Sequence, residues 1–465
     1  MSLLIRNVEI GGGPLQDVRI EDGRIVGIGH DLARAREELD GRCGALIPGL
    51  CDHHIHLFGL AALADTVALD GVSGPSSFQA RISAALAARP VGAWVRVTGY
   101  HEAMAGDLTR QDLDRLAPRH RLRVQHQTGA LWILNTLALE GVIGGSNPPG
   151  LELDRQSRPT GRLWREDVWL RARIGAQPPR LAPIGKMLAA YGITAVSDAS
   201  VTTDADAAGR LAQAHRTGDL PQRLTLMSGG ELAAPTDAAF TLGPVKVLLD
   251  DHALPEFDEF LNRIASARSW GRNVAVHCVT AAELALSLAA FEAAGSLPGD
   301  RIEHGSVIPR AAIDQLLALK LTVVTQSAFI RERGDRYLNE VDPVDLDDLY
   351  RCASLLAAGV PVAGSSDAPY ASPDPWLGMA AAMDRCSLGG RRLGAGEVIS
   401  GLAALALYLD EPGRPGRGPR IVRVGDAADL CLLKRPIREV MNAPQADCVR
   451  ATMIAGRLEF LSASE

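Results

Sequence analysis

The chain has 465 residues, of which 47% are hydrophobic and 22% are charged, and its formal net charge is −7. This composition supports a large buried core and excludes a disordered, collagen-like or coiled-coil chain. Because no block of basic residues and no uncharged apolar run of about 18 residues stands out, we expect neither a nucleic-acid nor a membrane partner.

The N-terminus and the cysteines indicate a compartment. The first ten residues, MSLLIRNVEI, reach a charge at Arg6 without a long apolar stretch, which is not typical of a signal peptide. The seven cysteines are odd in number, widely spaced and free of any CxxC pair. In a chain of this size that pattern predicts reduced thiols, so we expect a cytoplasmic protein.

Both ends of the chain are predicted to form strands. Residues 18–28 contain an alternating strand, an Asp-Gly turn signal and a returning strand. Near the C-terminus, residues 429–433 predict a buried strand, and residues 449–460 predict a second hairpin. We therefore expect residues 1–47 and 420–465 to form one small β-sandwich domain together.

The middle of the chain, residues 48–419, alternates short apolar runs with Ala- and Leu-rich helical stretches. Parallel strands joined by crossover helices close into a (β/α)8 TIM barrel. The eight predicted barrel strands are Cys51–Leu57, Ile193–Ala199, Arg223–Met227, Val245–Leu249, Val274–Cys278, Arg301–Gly305, Thr322–Gln326 and Val360–Ser365. The gap after the first strand is too long for one helix, so residues 92–170 are predicted as an insertion with strands at Trp94–Tyr100 and Arg121–His126.

The segment PGLCDHHIH, residues 48–56, places two histidines two positions apart on the first predicted strand. Residues i and i+2 of a strand point to the same side, so His54 and His56 present two imidazoles together. Neutral imidazole is a common metal ligand. Taken alone, the pair is equally compatible with polar residues at the end of a strand.

Three further residues of ligand type lie at the ends of later barrel strands. His277 occurs in VAVHC, His304 in RIEHG, and Asp367 in GSSD. The C-terminal ends of barrel strands meet at one rim, where the active site lies. Four imidazoles and one carboxylate suit Zn²⁺ or a similar divalent ion, which favours a metal centre over unrelated residues. Asp52 and Glu303 precede ligands and are expected to hold the rim together.

Lys246 lies inside the otherwise apolar strand PVKVLL. A buried, unpaired ammonium group is costly, so such a lysine is expected to be neutral, paired or modified. A neutral lysine amine can add CO2 and become an anionic carbamate that bridges two metal ions. The alternative is a rim lysine paired with Asp250 or Asp251, and the position on the fourth barrel strand favours the carbamate.

In this order, PGLCDHHIH, VKVLLD, VAVHC, RIEHG and GSSDAP resemble the motifs of the amidohydrolase superfamily. LDRLAP, RPTGRLW and GITAVSDAS are similar to segments of the branch that contains N-substituted formamide deformylases, with phenylurea hydrolases as a more specific possibility. The resemblance covers nearly the whole chain and implies two Zn²⁺ ions bridged by a CO2-derived carbamate on Lys246. The implied metal set is His54, His56, Lys246, His277, His304 and Asp367.

The implied reaction is hydrolysis of a C–N bond in an amide or urea, with N-aryl ureas and anilides as specific candidates. In this mechanism metal-bound hydroxide attacks the carbonyl, while Asp367 orients the hydroxide and passes its proton to the leaving amine. The alternatives are a deaminase of a cyclic amidine or N-heterocycle and a non-catalytic scaffold of the same fold. The presence of Lys246, and the position of Glu283 six residues after His277, favour hydrolysis. The complete ligand set disfavours a scaffold.

Polar and aromatic side chains of the insertion are candidates for contacting a small-molecule substrate as part of a lid. They are Tyr100, His101, His126, Gln127, Trp132 and Trp164. Packing inside the insertion is the favoured alternative for the two tryptophans. Gln326, at the end of the seventh barrel strand, and Tyr370, in the loop beyond Asp367, are further candidates. We also expect a homo-oligomer, since the chain lacks long exposed charge runs that would oppose association.

Overall fold

The computed structural model describes residues 2–144, 147–175 and 179–463. The chain divides into two compact units, one formed by residues 1–57 and 181–465 and the other by residues 58–180. The predicted insertion, residues 92–170, lies within the second unit.

Strands in the described ranges are numbered in chain order. They are β1 (Ser2–Glu9), β2 (Leu15–Glu21), β3 (Arg24–Gly29), β4 (Glu37–Asp40), β5 (Leu46–Pro48), β6 (Leu50–Ile55), β7 (Thr66–Ala68), β8 (Trp94–Tyr100), β9 (Arg121–His126), β10 (Leu131–Leu134), β11 (Leu151–Leu153), β12 (Pro159–Trp164), β13 (Ile193–Asp198), β14 (Arg223–Ser228), β15 (Thr241–Val247), β16 (Val274–Cys278), β17 (Arg301–His304), β18 (Thr322–Thr325), β19 (Val362–Gly364), β20 (Leu430–Leu433), β21 (Val449–Ile454) and β22 (Arg457–Leu461).

Helices in the same ranges are also numbered in chain order. They are α1 (Leu57–Asp65), α2 (Gly74–Ala87), α3 (Glu102–Ala105), α4 (Arg110–Leu116), α5 (Thr136–Glu140), α6 (Asp167–Ile174), α7 (Ala182–Ala190), α8 (Ala205–Thr217), α9 (Phe257–Ser269), α10 (Ala281–Ala294), α11 (Ile313–Ala318), α12 (Ala328–Glu340), α13 (Ala353–Ala358), α14 (Pro375–Asp384), α15 (Gly401–Ala406) and α16 (Ile437–Val440).

Both ends of the chain contribute to a β-sandwich, as predicted. One four-stranded sheet has the order β3-β2-β1-β4, and the other has the order β22-β21-β20-β5. Apolar side chains from the two sheets share one core, with Ile5 and Val18 from the first sheet and Leu430 and Met453 from the second. β2 contains buried and less buried residues, as expected for a half-buried sheet, whereas every residue of β20 is buried. Gly23, in the predicted turn, adopts a φ of 78° that favours glycine.

The eight-stranded parallel sheet has the order β6-β13-β14-β15-β16-β17-β18-β19, which follows the chain. All eight predicted barrel strands are present, and the (β/α)8 TIM barrel is confirmed. The fourth strand begins earlier than predicted because Thr241 pairs with Thr225 of β14. No helix is present in residues 229–240, which connect β14 to β15 and are fully described.

Backbone hydrogen bonds join the two ends of the barrel sheet at the rim. The amide of Asp367 donates to the carbonyl of His54 over 2.8 Å, and the amide of His56 donates to the carbonyl of Ala368 over 2.8 Å. These bonds connect the end of β6 to the loop after β19. They fix the first predicted ligand pair against the last predicted ligand.

The second unit contains a six-stranded sheet with the order β11-β12-β10-β9-β8-β7. Its two predicted strands, at Trp94–Tyr100 and Arg121–His126, have the predicted bounds. One apolar cluster packs Val95 and Val97 against helix residues such as Phe78. A second cluster, which contains Trp132 and Leu170, includes α5 and α6. Both faces of this sheet therefore carry an apolar core.

Within the described residues, no helix has the length and apolar character needed to span a bilayer. The seven cysteines are all free thiols, and five of them are buried: Cys51, Cys278, Cys352, Cys431 and Cys448.

Candidate metal centre

Three predicted ligands from the first and last barrel strands lie together at the rim. His54 is buried at the end of β6, and His56 is partly buried just beyond it. Nε2 of His54 lies 3.3 Å from Oδ1 of Asp367, and Nε2 of His56 lies 3.1 Å from the same oxygen. One ligand atom from each residue lies within 4.8 Å of the other two. This spacing is suitable for binding one cation.

The histidines of the fifth and sixth barrel strands extend this cluster. The ring centroids of His54 and His304 are 4.7 Å apart, and those of His277 and His304 are 4.5 Å apart. Nδ1 of His304 lies 3.9 Å from Oδ2 of Asp367, further than the nearest nitrogens of His54 and His56. The predicted imidazoles therefore form a continuous row beside one carboxylate.

One of these histidines and the aspartate have backbone conformations in the left-handed region. His304 has a φ of 67° and Asp367 has a φ of 56°. Such conformations cost about 1–3 kcal/mol each in non-glycine residues and cluster at functional sites. His304 ends β17, and Asp367 lies three residues after the end of β19.

Glu303 orients His54 from inside the barrel. One of its carboxylate oxygens contacts Nδ1 of His54, and the other accepts from Nε of Arg301. Burial raises the pKa of Glu303, but the charges of Arg301 and Lys246 outweigh this effect and hold the pKa below its usual value. The ionised carboxylate accepts, so we assign the proton of His54 to Nδ1.

The proton on Nδ1 leaves the other ring nitrogen of His54, which faces Asp367, without a proton. Nε2 of His54 then carries a lone pair directed at Oδ1, which is buried and has no hydrogen-bond partner among the described residues. Two acceptors at 3.3 Å repel each other unless a cation lies close to both. Burial, followed by the charge of Lys246, lowers the pKa of His54 well below its usual value, which keeps the imidazole neutral. The donor set therefore fits a divalent ion.

Lys246 contributes a buried amine to this part of the barrel. Its side chain is 3% exposed, and Nζ has no hydrogen-bond partner in the described part of the chain. Burial lowers the pKa of Lys246 to about 8, although the nearby carboxylates of Glu303 and Asp367 act in the opposite direction. No ion pair joins Lys246 to Asp250 or Asp251 among the described residues, so the alternative of a paired rim lysine lacks its contact. A buried amine without a hydrogen-bond partner calls for an explanation, and a covalent modification or a bound ligand would provide one.

Hydrogen bonds behind the ligands hold their rings in place. Nδ1 of His56 lies 3.1 Å from Oγ of Ser200, and Nδ1 of His304 lies 2.9 Å from Oε1 of Gln326. Asp52 accepts from the amide of Ser366 over 3.0 Å, which anchors the residue before Asp367. Sequence reasoning missed Ser200 as a partner of His56. Its only signal was the segment GITAVSDAS, in which Ser200 directly follows the second predicted barrel strand.

The two substrate-binding candidates of the first unit have different environments. Gln326 is buried, and its Nε2 donates to Oγ of Ser365 over 2.9 Å, so it supports His304 from below. Tyr370 is 61% exposed, and its ring meets the ring of His56 edge-on, with centroids 5.6 Å apart. Tyr370 therefore has a free aromatic surface beside the candidate metal ligands.

Two candidates in the insertion are packed inside their own unit. Tyr100 is 1% exposed, packs on Phe78 and donates from its hydroxyl to the carbonyl of Gly106. Trp132 is 3% exposed, and its Nε1 donates to Asp167 over 2.8 Å. Packing accounts for both side chains, and for Trp132 it is the alternative that the sequence favoured.

The other insertion candidates lie nearer the surface of that unit. The rings of His101 and His126 are 5.9 Å apart, and Nε2 of His126 lies 3.2 Å from Oε2 of Glu102. Nδ1 of His101 accepts from the amide of Ala103, which places the imidazole at the start of α3. The side chains of Gln127 and Trp164 are exposed.

Comparison with known proteins decides the family. A model of the amidohydrolase family matches residues 37–459, which is most of the chain. The chain belongs to the amidohydrolase family. The predicted resemblance is thereby confirmed, and membership makes this protein a metal-dependent hydrolase.

Individual matches are distant in sequence but cover nearly the whole length of each protein. N-substituted formamide deformylase of Arthrobacter pascens is 24% identical over 507 aligned residues, covering 93% of this chain and 92% of that protein. An uncharacterized metal-dependent hydrolase from Pyrococcus furiosus has a TM-score of 0.70 at 20% identity, covering 94% of this chain and 100% of that one. N-isopropylammelide isopropylaminohydrolase from Burkholderia multivorans has a TM-score of 0.54 at 19% identity, covering 99% and 100%. These structures support the fold.

Proposed function

We propose that this amidohydrolase hydrolyses the C–N bond of an amide or urea, with N-aryl ureas and anilides as its substrate class. The observation that carries the proposal is the pair of acceptors, Nε2 of His54 and Oδ1 of Asp367, that face each other beside the unpartnered amine of Lys246. The names of the deformylase and the isopropylaminohydrolase relatives describe reactions at carbon–nitrogen bonds, in agreement with this reaction class.

The proposed cofactor is a pair of Zn²⁺ ions with a carbamate on Lys246. CO2 adds to the neutral amine nitrogen, one proton leaves, and the product is an anionic group with two oxygen ligands. Burial of Nζ without a partner supports this reading, because the carbamate replaces a costly unpaired cation with a ligand. The residues proposed to hold the ions are His54, His56, Lys246, His277, His304 and Asp367.

Divalent ions held by these residues would supply a water molecule of lowered pKa and a Lewis acid for the substrate carbonyl. Asp367 has one unpartnered oxygen and lies within 3.9 Å of His304, so it is placed to hold a proton between water and leaving amine. Glu303 keeps the lone pair of His54 directed at the site. The surrounding hydrogen bonds from Ser200 and Gln326 keep His56 and His304 from rotating.

The position of Glu283 favours hydrolysis over the deaminase alternative. Its carboxylate accepts from the amides of Val279 and Thr280 and forms a capping box with Thr280 at the start of α10. A carboxylate engaged by two backbone amides is a poor candidate for moving protons on a heterocycle. Glu283 therefore has a structural role, which is to cap the N-terminus of α10.

Apolar residues beyond the ligand-bearing strands support a hydrophobic substituent on the substrate nitrogen. Tyr370 follows Asp367 in the same loop, Leu248 lies two residues after Lys246, and Val279 lies two residues after His277. These side chains are 61%, 53% and 36% exposed respectively. Exposed apolar groups that follow the proposed ligands in sequence favour binding of an aryl or alkyl group.

The test is a panel of anilides, N-aryl ureas, N-alkyl amides and cyclic amidines, scored by amine or ammonia release. Zn²⁺-loaded protein is expected to release arylamine, to lose turnover after chelation, and to regain it when Zn²⁺ is restored. The control is His54→Ala, which is expected to remain inactive at every Zn²⁺ concentration. Turnover of cyclic amidines alone would favour deamination, and an inactive protein with full metal content would favour the scaffold.

A further inference from the structure

Two arginines lie side by side on the sheet of the second unit. Arg96 of β8 and Arg123 of β9 are direct partners in the parallel register. Neighbouring strands are about 4.8 Å apart, and paired residues point to the same face, so their side chains leave the sheet together. On that face, two guanidinium groups are neighbours.

Neither guanidinium group has a counter-charge in contact. The Nε atoms of Arg96 and Arg123 are buried and have no hydrogen-bond partner, and among described residues neither side chain forms an ion pair. Asp167 is the acidic group that acts on Arg96. Its Oδ1 is occupied by Nε1 of Trp132 at 2.8 Å and by Nε2 of Gln125 at 3.4 Å.

Electrostatics make this arrangement unfavourable without a ligand. Burial, followed by the positive charges of Arg96 and Arg171, lowers the pKa of Arg123 to about 10. Arginine nevertheless stays protonated at neutral pH, so the three like charges remain. Arg171 is an exposed residue of α6. Folding therefore holds an excess of positive charge on a partly buried surface, which a bound anion would neutralise.

Tryptophan rings hold the guanidinium groups in place. The Cζ atom of Arg123 lies 5.2 Å from the ring centroid of Trp132 and 6.0 Å from that of Trp94. Cζ of Arg96 lies 5.6 Å from the centroid of Trp132. Stacking on an aromatic ring satisfies the face of a guanidinium group and leaves its N–H edge for hydrogen bonds. The donors are thus ordered before any ligand arrives.

We propose that Arg96, Arg123 and Arg171 form a binding site for an oxyanion, a carboxylate or phosphate group, on the insertion sheet. Paired guanidinium groups with ordered N–H edges match the oxygen spacing of these anions and bind them through charge-assisted hydrogen bonds. The site is separate in its residues from the candidate metal ligands. Its proposed ligand is a free anion of this chemistry.

The test is a titration of the full chain with inorganic phosphate, with ionic strength held constant by chloride. Thermal unfolding and tryptophan fluorescence are measured at each phosphate concentration. Phosphate is expected to raise the Tm of the wild type and to change its fluorescence saturably. Arg123→Gln and Arg171→Gln are expected to weaken the fitted phosphate Kd at least tenfold. Arg119→Gln, an exposed arginine of the same unit, is the matched control and should retain the wild-type Kd.

Because Arg171 is exposed, its variant keeps the test valid if Arg123→Gln fails to fold. An equal phosphate response in the wild type and in all variants would overturn the site while leaving the proposed hydrolysis untouched.

Discussion

Glu303 and His54 are 249 residues apart in the sequence, yet Oε2 of Glu303 contacts Nδ1 of His54 inside the barrel. Both side chains are essentially without solvent exposure. The contact leaves Nε2 of His54 as the atom directed at Asp367, so the chemistry of the rim depends on a carboxylate that is not itself a proposed ligand. Arg301 secures that carboxylate from the other side.

Glu303→Gln is expected to weaken metal binding by about 10–100-fold, because an amide orients the imidazole less strongly and removes the charge that fixes its tautomer. The measurement is metal content and Kd for Zn²⁺ by competition with a chromophoric chelator. Activity should return at excess Zn²⁺. The matched control is Glu292→Gln, an exposed glutamate on α10. Unchanged Zn²⁺ affinity in Glu303→Gln would contradict the positioning role.

Lys246→Ala is expected to lose at least one metal ion per chain and most activity, because the proposed carbamate on Lys246 cannot form. The measurement is metal content after reconstitution with Zn²⁺, with and without bicarbonate. Bicarbonate should speed reloading of the wild-type apoprotein and have no effect on the variant. Two ions per chain in Lys246→Ala would rule out a bridging carbamate.

The barrel strands could be predicted from the sequence because short apolar runs alternate with helical stretches along the chain. The pairing of His54 with His56 and the ends of β16, β17 and β19 depend on local patterns, so they could be predicted. Partners on neighbouring strands could not be predicted, since nothing local connects Ser200, after β13, with His56, after β6. Side-chain contacts of this kind follow only from the pairing of strands that are far apart in the sequence.

The face of β8 that carries Tyr100 could not be predicted from the sequence either. A strict period of two from Trp94 puts Tyr100 on the same face as Arg96. The register of β8 against β9 instead shifts between Val97 and Tyr100, where Gly99 has a φ of 82°. Tyr100 thereby joins the apolar cluster that contains Val97. A bulge of this kind reverses the face of every later residue, and the sequence signals it only by one glycine.

Tyr370→Ala is expected to raise KM severalfold for N-aryl ureas and to leave KM for N-methyl amides nearly unchanged. The exposed ring beside His56 offers a flat surface to an aryl group and little to a methyl group. Steady-state kinetics on both substrates measure the difference. Leu388→Ala removes another exposed apolar side chain and serves as the control. An equal rise for both substrates would indicate a general loss of the loop structure.

We also predict a homodimer or larger assembly. The expectation comes from barrel hydrolases of this type, which often associate, and from the lack of long charge runs in the sequence. Sedimentation velocity at micromolar concentration measures the mass directly. A single species at the mass of one chain, 49.3 kDa, would contradict the prediction.

The last prediction concerns Asp367 as the group that moves the proton. Asp367→Asn is expected to leave much of the metal bound, because the four imidazoles and the carbamate remain as proposed ligands. It is expected to lower kcat by about 10²–10⁴-fold for an ordinary anilide, the usual contribution of a general acid–base group. The amide side chain can neither take the proton of the attacking water nor deliver one to the departing aniline.

A leaving group that needs no protonation separates the two steps. A nitroanilide or an activated phenyl ester should suffer less from Asp367→Asn than an anilide, because its departing group is stable without a proton. The measurement is the ratio of kcat between the two substrates in wild type and variant, with metal content determined on the same samples. Equal losses on both substrates would make Asp367 a ligand only. Proton transfer would then be assigned to another group.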